Sequence, residues 1–216
     1  MAIDLIAQTG LSSLPVIYYL EQLFRIKKAA QKIAKSKFGG YEQLLLDALK
    51  CLVERPNSWQ AQSEVIRALG FVGSSLSLEY LRELESKSHD ATVLYKDIGF
   101  AICMINDVSN DSFSYILSIL DTENDLLLSG ACAAILTSGM VPDEKTINML
   151  LSSVIKRDLD EGKVITPRCY IAAACYNWPQ ALTKSFLLAC TESKWSGLIE
   201  IAESSLAGKK TKYVLV

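Results

Sequence analysis

The groups in this chain that could carry chemistry are one histidine, six cysteines and 24 carboxylates. His89 lies in a polar run, Ser-Lys-Ser-His-Asp, over residues 86–90. A zinc site needs several Cys or His ligands at short spacing. The cysteines offer no Cys-x-x-Cys pair, and Cys169 and Cys175 are spaced to fall on different helix faces. A cysteine or serine nucleophile needs a base beside it, and His89 is the single imidazole. No Gly-x-Ser-x-Gly and no Gly-x-x-x-x-Gly-Lys loop occurs. The expectation is a chain with no catalytic residues, no metal and no cofactor, hence not an enzyme. Cys51, Cys103, Cys132, Cys169, Cys175 and Cys190 sit beside Leu, Ile or Ala in apolar stretches, which reads as small hydrophobes in a reduced core.

The carboxylates are unevenly placed. Residues 1–37 and 163–216 each carry net +4, residues 38–88 net −2, and residues 89–162 net −8. Many acids of the middle block fall at expected turns. Corresponding turns of stacked hairpins line up, so these acids are expected to merge into one electronegative edge that steers a basic partner. The candidate partner-binding residues are Asp107, Asp111, Asp121, Glu123, Asp125, Asp143 and Glu144. A competing reading is that Asp111, Asp125 and Asp143 only cap helices, since Asp favours helix starts. Tyr95, Tyr115 and Trp178 are candidate aromatic anchors, with core packing as the alternative.

Helices must hold these groups, because apolar residues recur at helical spacing with Gly, Pro and Ser punctuation between. Helices are expected over 16–35, 41–54, 59–72, 78–86, 91–106, 112–120, 125–138, 143–155, 166–178, 180–191 and 195–206. Pro15 suits the first turn of the first helix, and Gly39-Gly40 ends it. Ser58 offers a helix cap. One all-helical domain is expected over 1–216. Residues 1–56 form N-terminal capping helices, 57–191 helical hairpin repeats, and 192–216 a terminal helix and tail. The start of the chain lacks a basic signal-peptide region, and the uncharged runs 5–20 and 126–142 are too short to span a bilayer. A cytoplasmic protein with no membrane association is the expectation.

Hairpin starts near 59, 91, 125 and 166 recur at roughly 32 to 41 residues, a helical-repeat spacing. A plain helical bundle is the alternative. The stretch Ser63-Glu-Val-Ile-Arg-Ala-Leu-Gly-Phe-Val-Gly73, with Leu78, Leu81 and Leu84 following, resembles a HEAT repeat. Ala68-Leu69-Gly70 and Val72-Gly73 match its first helix, and the leucines its second. Gly130-Ala131-Cys132-Ala133-Ala134 and Gly139 echo it two periods later. Gly73 and Gly139 are read as left-handed helix stops. The resemblance implies an all-α, right-handed α-solenoid of about four hairpins, plus an N-terminal helix pair and a C-terminal helix.

Such arrays present a long surface and no intrinsic chemistry. With the acidic middle block, the expected function is that of a protein-binding module with a basic protein partner. One version is an immunity protein that neutralises a basic nuclease toxin, as small helical-repeat proteins do in bacterial toxin–immunity systems. No nucleic acid, membrane or small-molecule substrate is expected. One alternative is a scaffold or adaptor for a peptide or helix. Another is the HEAT-like alkylpurine DNA glycosylases, which use Trp, Asp and Arg in a basic groove; Trp59, Trp178 and Trp195 would be the tryptophans, but the acidic repeats would repel a duplex.

Overall fold

Among the described residues eleven α-helices follow one another, and there is no strand. They are α1 (Val16–Ser36), α2 (Glu42–Val53), α3 (Trp59–Val72), α4 (Ser75–Glu85), α5 (Leu94–Cys103), α6 (Ser114–Ser118), α7 (Asp125–Ser138), α8 (Glu144–Val154), α9 (Pro167–Ala174), α10 (Gln180–Thr191) and α11 (Ser196–Leu206). A π-helical turn, Met104–Val108, extends α5, and a 3-10 turn, Cys175–Asn177, extends α9. The computed structural model describes residues 16–37, 39–55, 57–89, 91–157 and 166–211. Pro15, Asp90, Asp158, Asp160, Glu161 and residues 212–216 lie outside the described residues.

Local chemistry sets the helix ends. The Ser74 hydroxyl accepts from the Leu76 amide, the Asn124 side-chain Oδ1 from the Leu127 amide, and the Asp143 carboxylate from the Thr146 amide at 2.7 Å. Pro167 occupies the first turn of α9, where its missing N–H costs nothing. Gly139 ends α7 in the left-handed conformation, φ +73°. Gly73 does not: its backbone is extended, φ −76°. A Cβ there would stand 2.5 Å from the Leu69 carbonyl oxygen and 3.0 Å from Ile105. Crowding, not handedness, requires glycine at that stop. Ser58 precedes α3 but caps nothing; its hydroxyl donates back to α2 at the Leu52 carbonyl, 2.7 Å.

The odd-numbered helices pack in chain order: α1 on α3, α3 on α5, α5 on α7, α7 on α9, α9 on α11. Neighbours in this row run parallel. Ser63 meets Asp97, Gly70 meets Ala101, and Gly73 meets Ile105, so contacts advance together along α3 and α5. At the far end, Asn177 and Trp178 donate to the Gly139 and Met140 carbonyls, joining the C-terminal ends of α9 and α7. The even helices flank the row, α2 against α3, α4 against α5 and α10 against α11.

One offset recurs in these joins. Gln31 bonds Glu64, 33 positions on; Glu42 bonds Ser74, 32 on; Arg157 pairs with Asp125, 32 back; Ser205 bonds the Ala172 carbonyl, 33 back. Cations repeat the pattern over aromatic rings: Lys37 over Phe71, Arg67 over Phe100, Lys50 over Tyr80, Arg82 over Tyr115 at 4.4 Å. Each contact places a charged head above a ring of a neighbouring helix. The α1–α2 pair, expected as a distinct cap, uses the same joins.

The core is one continuous apolar cluster from Ala30 to Ala202. Its tightest seam is α5 on α7. A Cβ on Gly130 would stand 1.8 Å from the Lys96 carbonyl oxygen, and one on Gly99 would stand 2.1 Å from that of Leu127. The two backbones touch because both helices carry glycine at the crossing.

Candidate functional site

Parallel packing of the odd row decides where the acidic corners go. The turns that follow odd helices share one edge, and the turns that precede them share the opposite edge. Asp107, Asp111, Asp143 and Glu144 belong to the first edge; Asp121, Glu123 and Asp125 belong to the second. The expected single electronegative edge is therefore split in two. Expecting successive turns to align overlooked the strict alternation between ends of an up-and-down chain.

Asp107 leaves the surface altogether, with no solvent exposure. Its carboxylate accepts from the Tyr115 amide at 2.8 Å and the Ile116 amide at 2.9 Å, capping α6 from eight and nine residues upstream. Asn106 donates to it as well, at 2.8 Å, and the Cys103 thiol approaches it at 3.6 Å. The π-helical turn carries it there: one extra residue in the turn rotates Asp107 inward. As a partner-binding residue Asp107 is corrected; it is an internal cap.

The others divide. Asp125 is half-buried and pairs with Arg157 at 2.6 Å, whose second nitrogen donates to the Leu120 and Thr122 carbonyls. Asp143 is exposed, and its bond from the Thr146 amide holds its carboxyl below the usual range. Asp111 is exposed in a left-handed turn, φ +48°, and caps nothing through its side chain; Asn124, not Asp125, caps α7. Asp121, Glu123 and Glu144 are exposed. Of the aromatic candidates, Tyr115 and Trp178 are buried, with Tyr115 donating to Glu85 at 3.0 Å. Tyr95 is half-buried and donates to the Lys87 carbonyl at 2.7 Å. The exposed tryptophan is Trp59. It borders a cleft of about 460 Å³ between the α2–α3 and α4–α5 corners, also lined by Arg55, Asn57, Lys87 and His89.

His89 is half-buried; its Nε2 lies 2.8 Å from the Leu84 carbonyl, and its ring packs edge-on against Tyr95. Among the described residues no group of three His, Cys, Asp or Glu is arranged to hold a metal ion, and no helix is long and apolar enough to cross a membrane. Cys51 is exposed, against expectation, while the other five cysteines are buried. Burial and the nearby Asp107 push the Cys103 thiol well up, and burial raises Cys175.

A second polar cluster was not anticipated. It lies on the face of the odd row, where α3 supplies Ser63 and Arg67, α5 supplies Lys96 and Asp97, and α9 supplies Tyr170. Asp97 is 5% exposed. Burial pushes its carboxyl up, against a Ser63 hydrogen bond and the charges of Arg67 and Lys96. Burial pulls the Lys96 ammonium down; Asp97 opposes that and Arg67 adds to it. Lys96 lies over the Tyr170 ring of α9 at 5.4 Å. The sequence held one signal: Lys96-Asp97 immediately precedes eight uncharged residues, 98–105, so these charges start a helix that the core surrounds. No family model, no curated protein and no solved structure matches this chain.

Proposed function

We propose that the chain is a non-catalytic protein-binding module, a short α-solenoid of helical hairpins that holds a basic protein partner. The observation that carries this reading is a recurring join, a contact 32 or 33 positions apart, seen from Gln31–Glu64 to Ser205–Ala172. Units that stack chiefly on their neighbours extend into a long surface. Asp111, Asp121, Glu123, Asp143 and Glu144 supply exposed negative charge along both edges of that surface. The concrete version is an immunity protein that covers the substrate groove of a basic nuclease toxin, its carboxylates standing where phosphates would bind. The two-edged distribution suits a partner that straddles the row.

The test is capture from the native host's extract on the immobilised chain. The expected result is a nuclease that is silent while bound at low salt and active once high salt releases it. Changing Asp111, Asp143 and Glu144 together to Lys should slow association without unfolding the chain. Capture that ignores both salt and this charge reversal would remove the reading. The cleft beside Trp59 favours a second reading, an adaptor that seats a peptide side chain there. In that case Trp59→Ala would abolish binding while the charge reversal would leave it intact.

A further inference from the structure

The cleft beside Trp59 has a volume of about 460 Å³, inside the roughly 300–1,000 Å³ of small-ligand sites. Gln62, one of its lining residues, is 8% exposed. Its Nε2 donates to the Leu52 carbonyl at 3.1 Å and to the Ser58 hydroxyl at 2.8 Å. A carbonyl only accepts, so the amide nitrogen must face Leu52, and Oε1 is left over. No donor among the described residues bonds Oε1, yet it is not sealed from solvent, so it opens on the cleft. Polar atoms this deep are ordinarily satisfied. Arg55 is held in the same frame, its carbonyl 2.9 Å from the Ser58 hydroxyl. The Arg55 guanidinium is half-buried and makes no hydrogen bond or ion pair with the described residues. Cations removed from water are ordinarily paired. No carboxylate lines the cleft among the described residues, and Lys87 at its rim is already paired with Glu83 at 2.6 Å. Trp59, 42% exposed, supplies an apolar wall. His89 is a fixed wall, held by the Leu84 carbonyl and the Tyr95 ring.

We propose that this cleft binds the C-terminal carboxylate of a peptide chain that ends in an aromatic or large aliphatic residue. Such a terminus carries three features, and the cleft answers each. The carboxylate takes the planar fork of donors on Arg55. The last amide N–H donates to Gln62 Oε1. The last side chain lies against the Trp59 indole. A carboxylate with no N–H beside it would leave Gln62 unanswered, and an amide with no carboxylate would leave Arg55 so. The proposal rests on the adaptor reading of this cleft and not on the acidic edges.

The experiment titrates the full chain with N-acetyl-glycyl-phenylalanine bearing a free carboxylate, with amide chemical shifts as the readout. The expected result is saturable binding with shifts centred on residues 55–62 and 87–94. The C-terminal amide of the same dipeptide should bind about tenfold more weakly, the loss of one charge-assisted contact. The ester analogue, with phenyllactate as its last unit, lacks the N–H and should bind about fivefold more weakly. Arg55→Gln should bring acid and amide to equal affinity, which a merely structural role would not do. Trp59→Ala should weaken both. Equal binding of acid and amide at the cleft of the unaltered chain overturns the proposal and leaves the adaptor reading standing. N-acetyl-aspartate amide binding as tightly as the free acid overturns it too, because an acidic side chain would then suffice. Shifts that miss the cleft with every peptide overturn it whether or not a variant folds. Whether the adaptor reading fails with it is then decided by the capture of a partner that Trp59→Ala abolishes.

Discussion

Three side chains show how a residue's role here depends on what surrounds it. Asp107 resembles the other acids of the middle block in type and spacing, yet it caps α6 from inside the core. Asp107→Ala leaves the buried amides of Tyr115 and Ile116 without an acceptor, and urea unfolding should register a loss of about 3 kcal/mol. Glu42 plays a related part at the surface, accepting from the amides and hydroxyls of Ser74 and Ser77 at the start of α4. Burial pushes its carboxyl up, but the bonds from Ser77 and Ser74 together outweigh this and hold it below the ordinary 4.5. The unfolded chain therefore takes up this proton first as pH falls. The stabilisation is complete above the unfolded value and disappears on descent through the folded one. Thermal unfolding between neutral and acid pH should fall less steeply in that window for Glu42→Gln than for the parent chain. Cysteine chemistry gives a third check. Cys51 is exposed and the other five are buried, so a thiol reagent on the native chain should modify one of six, with the rest reacting only in denaturant.

Between elements, close approach is bought with glycine at particular crossings. Gly130→Ala drives a methyl into the Lys96 carbonyl and the Phe100 amide, 1.8 and 2.7 Å away, so α5 and α7 must separate. A loss of about 3 kcal/mol is expected by denaturant titration, the upper range for overpacking. Gly139→Ala should cost only about 1 kcal/mol, because its Cβ meets nothing and the penalty is the left-handed backbone alone. A larger loss at Gly139 than at Gly130 would contradict this account of the seam. The cation–aromatic contacts work at the same scale. They join neighbouring helices, each with a charged head above a ring.

Across the whole molecule, the row of odd helices shares one uninterrupted apolar cluster, so the units lack separate cores. Helical circular dichroism and tryptophan fluorescence are expected to report one coincident unfolding transition, although Trp59 and Trp178 lie in distant units. Two separated transitions would mean that the seams are weaker than the helices they join. The same row accounts for the charge map. Parallel neighbours send alternate turns to opposite edges, so the exposed acids of the middle block divide, Asp111, Asp143 and Glu144 on one edge and Asp121 and Glu123 on the other.

Sequence alone determined the all-helical class and most of the ends of the described helices, because periodicity, caps and glycine or proline breaks act over a few residues. Even so, α5 stops at Cys103 and gives way to a π turn, since the pull of α6's amides on Asp107 is not encoded locally. Only the tertiary structure decided that Asp107 is internal, that Cys51 faces solvent, and that Lys96 of α5 lies over the Tyr170 ring of α9. Each of these depends on contacts between separate helices, or on which helix face the row covers. Packing geometry sets those relations, and spacing along the chain does not contain them.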